Sequence, residues 1–160
     1  MFDVRPTARL LALVGAVGPI HYVGLTIVLG ILWQGYSPLR DTQSELGAVD
    51  SPYQHVMNIG GFTALGISIV AFAAAYATTL RGGWAKALAV ALIVVAGIGM
   101  FVVGFFPCDP GCVDVTRTGR LHGLWSAPGA FGLTTAAMVS SLVFRDDGRF
   151  SLPWQFASFW

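Results

Sequence analysis

Long apolar stretches alternate with short polar ones along this chain. Four stand out: 10–33 ("LLALVGAVGPIHYVGLTIVLGILW"), 56–80, 85–106 and 121–144. Apart from Lys86 at the edge of the third, none contains Asp, Glu, Lys or Arg. Each reaches the roughly 20 residues an α-helix needs to cross a hydrocarbon core of about 30 Å. Inside lipid the backbone must satisfy its own hydrogen bonds, which leaves helices and closed barrels. The short alternating segments of a barrel are absent. The predicted fold is therefore all-α, a polytopic transmembrane helix bundle of at least four spans, in a single domain over residues 1–160. After Pro153 the sequence "WQFASFW" reads as the interfacial start of a further helix, so 152–160 is expected to begin a fifth span or to lie as an interfacial tail.

Composition agrees with that pattern. The chain is 55% hydrophobic and only 11% charged, whereas soluble domains carry about a quarter charged residues. A net charge of +1 offers no basic patch for nucleic acid. The few charges are unevenly placed. If four helices alternate, Arg5, Arg9, Arg81, Lys86, Arg145 and Arg149 share one side, against Arg40, Arg117 and Arg120 on the other. Lys and Arg accumulate on the cytoplasmic side. The expected location is the cell membrane, with the N-terminus cytoplasmic and the loops at 34–54 and 107–120 outside. The first stretch is too long for the apolar region of a signal peptide and is followed by no small-residue cleavage site.

Cys108 and Cys112 fall in the second outer loop, "FFPCDPGC", on the side where disulfides persist. The turn dipeptide Pro110-Gly111 can reverse the chain between them. A structural disulfide is the favoured reading. The spacing differs from the C-x-x-C redox motif, and a thiol relay would need a second pair that this sequence lacks. Free thiols and a metal site remain as alternatives.

Three histidines carry the other candidate chemistry. His21 lies mid-span, two residues after Pro19, and an ionisable residue at that depth is a candidate ligand or proton site. The bland alternative is a neutral histidine bonded to a neighbouring helix. His55 and His122 open the second and fourth spans. Zinc held by histidines and a carboxylate, or haem between His55 and His122, are possible cofactors, and none is favoured. Depth separates His21 from the other two by far more than a Zn–N bond of about 2 Å allows. Ser51 and His55 have the Ser-x-x-x-His spacing similar to alkaline ceramidase-like membrane hydrolases. Asp109, Glu45 and His122 are the candidate acid–base or metal groups at the outer mouth, and Asn58 joins His21 and His122 as a ligand-binding candidate. Small residues four apart, Gly60, Ala64 and Ser68 in the second span and Gly132, Ala136 and Ser140 in the fourth, predict close helix packing. Pro19 and Pro128 predict kinks. Ser44 is placed to cap a short helix in the first outer loop, and Pro52 suits the first turn of the second span.

Four ordered pieces, "SELGA" (44–48), "NIGGF" (58–62), "FFPCDPGC" (105–112) and "LHGLWS" (121–126), resemble the bacterial domain-of-unknown-function 998 membrane proteins. The resemblance covers most of the chain and implies a polytopic helical protein, often with further spans. It implies no activity. Its matching positions are Ser44, Glu45, Asn58, Asp109 and His122; His21 and His55 stand outside it.

These readings favour a non-enzymatic membrane protein, either an accessory subunit or a bundle binding lipid or another hydrophobic ligand. Its partners would be membrane lipids and other membrane subunits. A membrane enzyme with its site at the outer mouth and a small transporter using His21 are the alternatives.

Overall fold

The computed structural model describes residues 5–150. The tail at 152–160, with Pro153 and Trp154, lies outside them. Helix α1 runs over Pro6–Leu32, α2 over Ala64–Thr79, α3 over Trp84–Val103 and α4 over Arg117–Asp147. A π-helix, Val56–Thr63, leads directly into α2, so the second span is Val56–Thr79. Four helices are thus long and apolar enough to cross a membrane, and the described residues contain no strand.

The helices overrun the apolar stretches wherever a local terminus signal lies further out. Pro6 starts α1, where its missing N–H is no loss. Thr116 caps α4 by accepting from the Gly119 N–H at 3.1 Å, and Gly148, at φ 64°, ends it in the left-handed conformation that glycine adopts without strain. Both α1 and α4 continue as helix through Pro19 and Pro128. In the loop between the first two spans a short 3₁₀ helix, Gln43–Gly47, is capped by Thr42 with Glu45, not by Ser44. Pro52 sits in the turn before the second span and not in its first turn.

The π-helix is the main departure from the expected pattern. Its wider i→i+5 winding is rare and is often found at functional sites. Gly60 and Gly61 lie at its centre, with no Cβ to crowd the turn; a Cβ on Gly61 would stand 2.9 Å from Met57 Sδ.

α1 packs on the π-helix and α2, α2 on α3, and α3 on α4, while no comparable seam joins α1 to α4. The closest approach to another helix's backbone is at Gly66, where a Cβ would stand 2.3 Å from the Phe101 backbone nitrogen and 2.6 Å from the Gly97 carbonyl oxygen. Gly132 of α4 faces the Leu92 carbonyl and Ala96, Ala136 is buried, and Ser140 accepts the Tyr76 hydroxyl at 2.8 Å. In the second span Ser68 faces Gly18, Gly60 faces Leu25, and Ala64 is half-buried. As an edge helix α1 is mostly open: 6% of its most apolar window is buried, against 50% in the second span.

The two ends are closed differently. At the end rich in Arg and Lys, Asp147 is buried, accepts the Arg81 N–H at 2.7 Å and pairs with Arg149, which also donates to the Thr79 carbonyl. Lys86 donates to the carbonyls of Ala77 and Leu80. Cations there satisfy carbonyls that the last turn of α2 leaves unpaired and sit favourably at its negative end. At the other end, here called the disulfide end, the two loops cover the bundle. Leu46 of the first loop is fully buried in a cluster with Leu29, Met57, Phe62 and Val103. Backbone pairing of the Val49 N–H with the Cys108 carbonyl at 3.1 Å ties the loops together.

Candidate functional site

The polar residues singled out in the sequence gather mostly at the disulfide end, but in different roles. Cys108 and Cys112 are disulfide-bonded, with Cα atoms 5.0 Å apart. Between them Gly111 takes φ 69° and closes a single 3₁₀ turn, Pro110–Cys112. Cys108 is buried, its Sγ 3.4 Å from the Ser44 carbonyl oxygen.

Asp109 is buried and accepts three hydrogen bonds: from the Thr116 N–H at 2.8 Å, the Thr116 hydroxyl at 2.7 Å and the Val115 N–H at 3.0 Å. It thereby holds the residue that caps α4. The Thr116 bonds, with the Val115 N–H and the Arg120 charge, keep its carboxyl below the ordinary carboxylate range. A carboxylate so stabilised in its charged form suits anchoring and not proton donation. Because the folded-state pKa is lowered, the stabilisation is full above the ordinary value of 3.8 and is lost as pH falls through the lower folded value. Amide exchange at 113–119 is therefore expected to stay constant from about pH 6 to about pH 4, after correction for intrinsic rates, and to rise below that. Asp109→Asn should already exchange fast at neutral pH and lose the acid-dependent rise; an unchanged profile in that variant would show the carboxylate is not the anchor.

Glu45 is likewise engaged locally, accepting the Thr42 N–H at 2.9 Å. Ser51 donates to the Leu46 carbonyl at 2.6 Å, while His55 is exposed, so the Ser-x-x-x-His spacing makes no paired dyad. Among the described residues no three His, Cys, Asp or Glu side chains come together as a metal-binding group. Asp109, Glu45 and His122 thus do not form a ligand set.

His122 is 4% exposed. Its Nδ1 lies 2.7 Å from the Phe106 carbonyl oxygen, which can only accept, so Nδ1 carries the proton and in the neutral ring Nε2 is left as an acceptor. That Nε2 is buried and has no partner. Asn58 is in the same condition. Its Nδ2 donates to the Gly47 carbonyl at 2.9 Å, tying the π-helix to the first loop and not to another span, and its Oδ1 is buried without a partner. His21 bonds the π-helix from the other flank, Nε2 to the Gly60 carbonyl at 2.9 Å. Counted along α1 it is mid-span. Its partner, however, lies only four residues after Val56, in the disulfide-end third of the second span.

One ring links these groups. Phe62, 2% exposed, stands edge-on to the His122 ring with centroids 5.9 Å apart and lies 5.9 Å from the Tyr22 ring. It shares with Asn58 Oδ1 the space beside Gly47, where a Cβ would meet the two at 3.1 and 2.4 Å. Phe62 also lines a cleft of about 390 Å³. Tyr22 forms its α1 wall, Met100 its floor on α3, and Ser126 and Ala130 its α4 wall; Gln43 and Ser44 roof it. The roof is held by Tyr22, whose hydroxyl donates to Gln43 Oε1 at 3.0 Å. The cleft exists because α1 and α4 do not close on each other. Its size falls within the range of about 300–1,000 Å³ typical of ligand pockets. Tyr22, Phe62, Met100 and Ser126 were not distinguished in the sequence, since aromatic and apolar residues within a membrane-length run look alike whether they face lipid, core or cavity.

Four membrane-length helices in sequential contact, with a looped lid over a lateral cleft, define a polytopic helical membrane protein. More particularly, the chain belongs to the family described as protein of unknown function (DUF998), whose model matches residues 16–159. That match covers every helix except the first turns of α1. No curated protein and no solved structure matches the chain.

Proposed function

We propose that this protein is a non-enzymatic membrane component that holds a hydrophobic ligand in the cleft between α1 and α4. The N-terminus would be cytoplasmic, and the cleft would lie beneath loops on the outer face of the cell membrane. The observation that carries this reading is the cleft itself: its wall is apolar along Leu65, Met100 and Ala130, and polar only under the roof at Gln43, Ser44 and Ser126. An amphiphile would fit with its head beneath the roof and its chain between the helices. Membrane lipids are the abundant source of such molecules, and a partner subunit could deliver or receive one. The enzyme reading is weaker, because Asp109 and Glu45 are both engaged in capping.

Ala130→Trp tests the proposal. Ala130 is exposed on the cleft wall, so the indole would fill the cleft without disturbing a buried contact. Native mass spectrometry of protein released from nanodiscs is expected to find a bound amphiphile on the wild type and none on the variant. Equal retention by both, or no retention by either, would remove the cleft as a binding site.

A further inference from the structure

From the buried groups around Phe62 we infer the chemical class of the ligand: an uncharged amphiphile whose head carries a hydrogen-bond donor, such as a long-chain alcohol. This inference rests on the cleft being a binding site and adds what it selects.

Two observations lead to it. Among the described residues no Lys, Arg, Asp or Glu lines the cleft, so neither an anionic nor a cationic head finds a counter-charge there. The two buried polar atoms left unpartnered among the described residues, His122 Nε2 and Asn58 Oδ1, are both acceptors. A buried acceptor without a donor is costly to leave, and nearly all such atoms in folded proteins find a partner. Both side chains are more than nine-tenths buried; the His122 ring stands edge-on to Phe62, Asn58 Oδ1 shares with Phe62 the space beside Gly47, and Phe62 is also cleft wall. A swing of that one ring brings the cleft to His122. Ser126, a cleft residue one turn further along α4, already accommodates this approach, because its hydroxyl is turned back to the His122 carbonyl at 2.8 Å. A donor entering past Phe62 would meet an imidazole whose tautomer is set by Phe106 to accept.

The experiment uses the full chain in nanodiscs and three probes of one chain length: hexadecanol, its methyl ether and hexadecanoic acid. Competition against the copurified amphiphile, followed by native mass spectrometry, gives relative affinities. Hexadecanol is expected to bind about tenfold more tightly than the ether, the worth of one hydrogen bond to a buried acceptor. His122→Phe should bring the alcohol down to the level of the ether while leaving ether binding unchanged, which also shows that the cleft is still folded. Phe62→Leu, which opens the path, should keep or widen the preference. Equal binding of alcohol and ether by the wild type would overturn this inference and leave the binding cleft standing. Preferential binding of the acid at pH 9, where its head is an acceptor-only carboxylate, would overturn it as well, since the site would then be donating. Binding of none of the three would overturn both.

Discussion

Gly66→Val is expected to cost about 3 kcal/mol, the upper end of what overpacking a tight core usually costs. The magnitude follows from what the new side chain meets. At Gly66 a Cβ would press on the backbone of Phe101 and Gly97, and backbone cannot rotate aside as a side-chain tip can. α2 would have to separate from α3, opening the cluster of Ile69, Ala73, Ala89 and Ile93 at their seam. Gly24→Ala is the matched control, because nothing lies within 4 Å of Gly24; there the loss of glycine's unfolded-state freedom should leave stability unchanged or raise it by about 0.5–1 kcal/mol. Steric trapping or denaturant titration in bicelles measures both. Similar stability for Gly66→Val and wild type would mean that the second and third helices are not in the close contact described here.

The second large effect concerns the lid. Two features hold the first loop on the bundle: the buried side chain of Leu46 and, through the Val49–Cys108 backbone bond, the disulfide-bonded turn. Their sizes decide between them. Truncating a fully buried leucine costs about 2–5 kcal/mol, whereas a disulfide closing so short a loop is worth about 2 kcal/mol on the chain-entropy model. Leu46→Ala, at about 3 kcal/mol, is therefore expected to loosen the lid more than replacing both cysteines by serine. The readout is amide exchange of residues 43–51, which should accelerate by about a hundredfold in Leu46→Ala. On the proposed function the cleft should lose its ligand in parallel, because its roof is Gln43 and Ser44. A larger effect from the cysteine pair would make the disulfide the main fastener.

How much of the site could be read from the chain depends on how local each feature is. Asn58, Asp109 and His122 were visible as polar residues at the borders of apolar runs, and the turn at Pro110-Gly111 already brought the cysteines within bonding reach. Their partners were not visible. Asp109 stood out as an acid and is an anchor, because Val115 and Thr116 fold back onto it from six and seven residues on. His21 was counted to mid-span along its own helix, but its carbonyl partner belongs to a helix 39 residues away, near the end of that span. The stripes of small residues were legible by spacing alone, yet the closest approach between helix backbones uses Gly66 and Gly97, which stand on neither stripe.

Hydropathy and length by themselves determined that this is a helical protein with at least four membrane-length spans, since the requirement to hydrogen-bond the backbone within lipid acts on each segment separately. Only the tertiary structure decided that α1 and α4 stay apart, that Gly60-Gly61 lies within a π-helix, and that Phe62 stands between a cleft and two unpartnered acceptors. Those outcomes depend on which side chains meet across helices distant in sequence. Within an apolar run the same residue types serve for lipid, core and cavity, so nothing local could distinguish them.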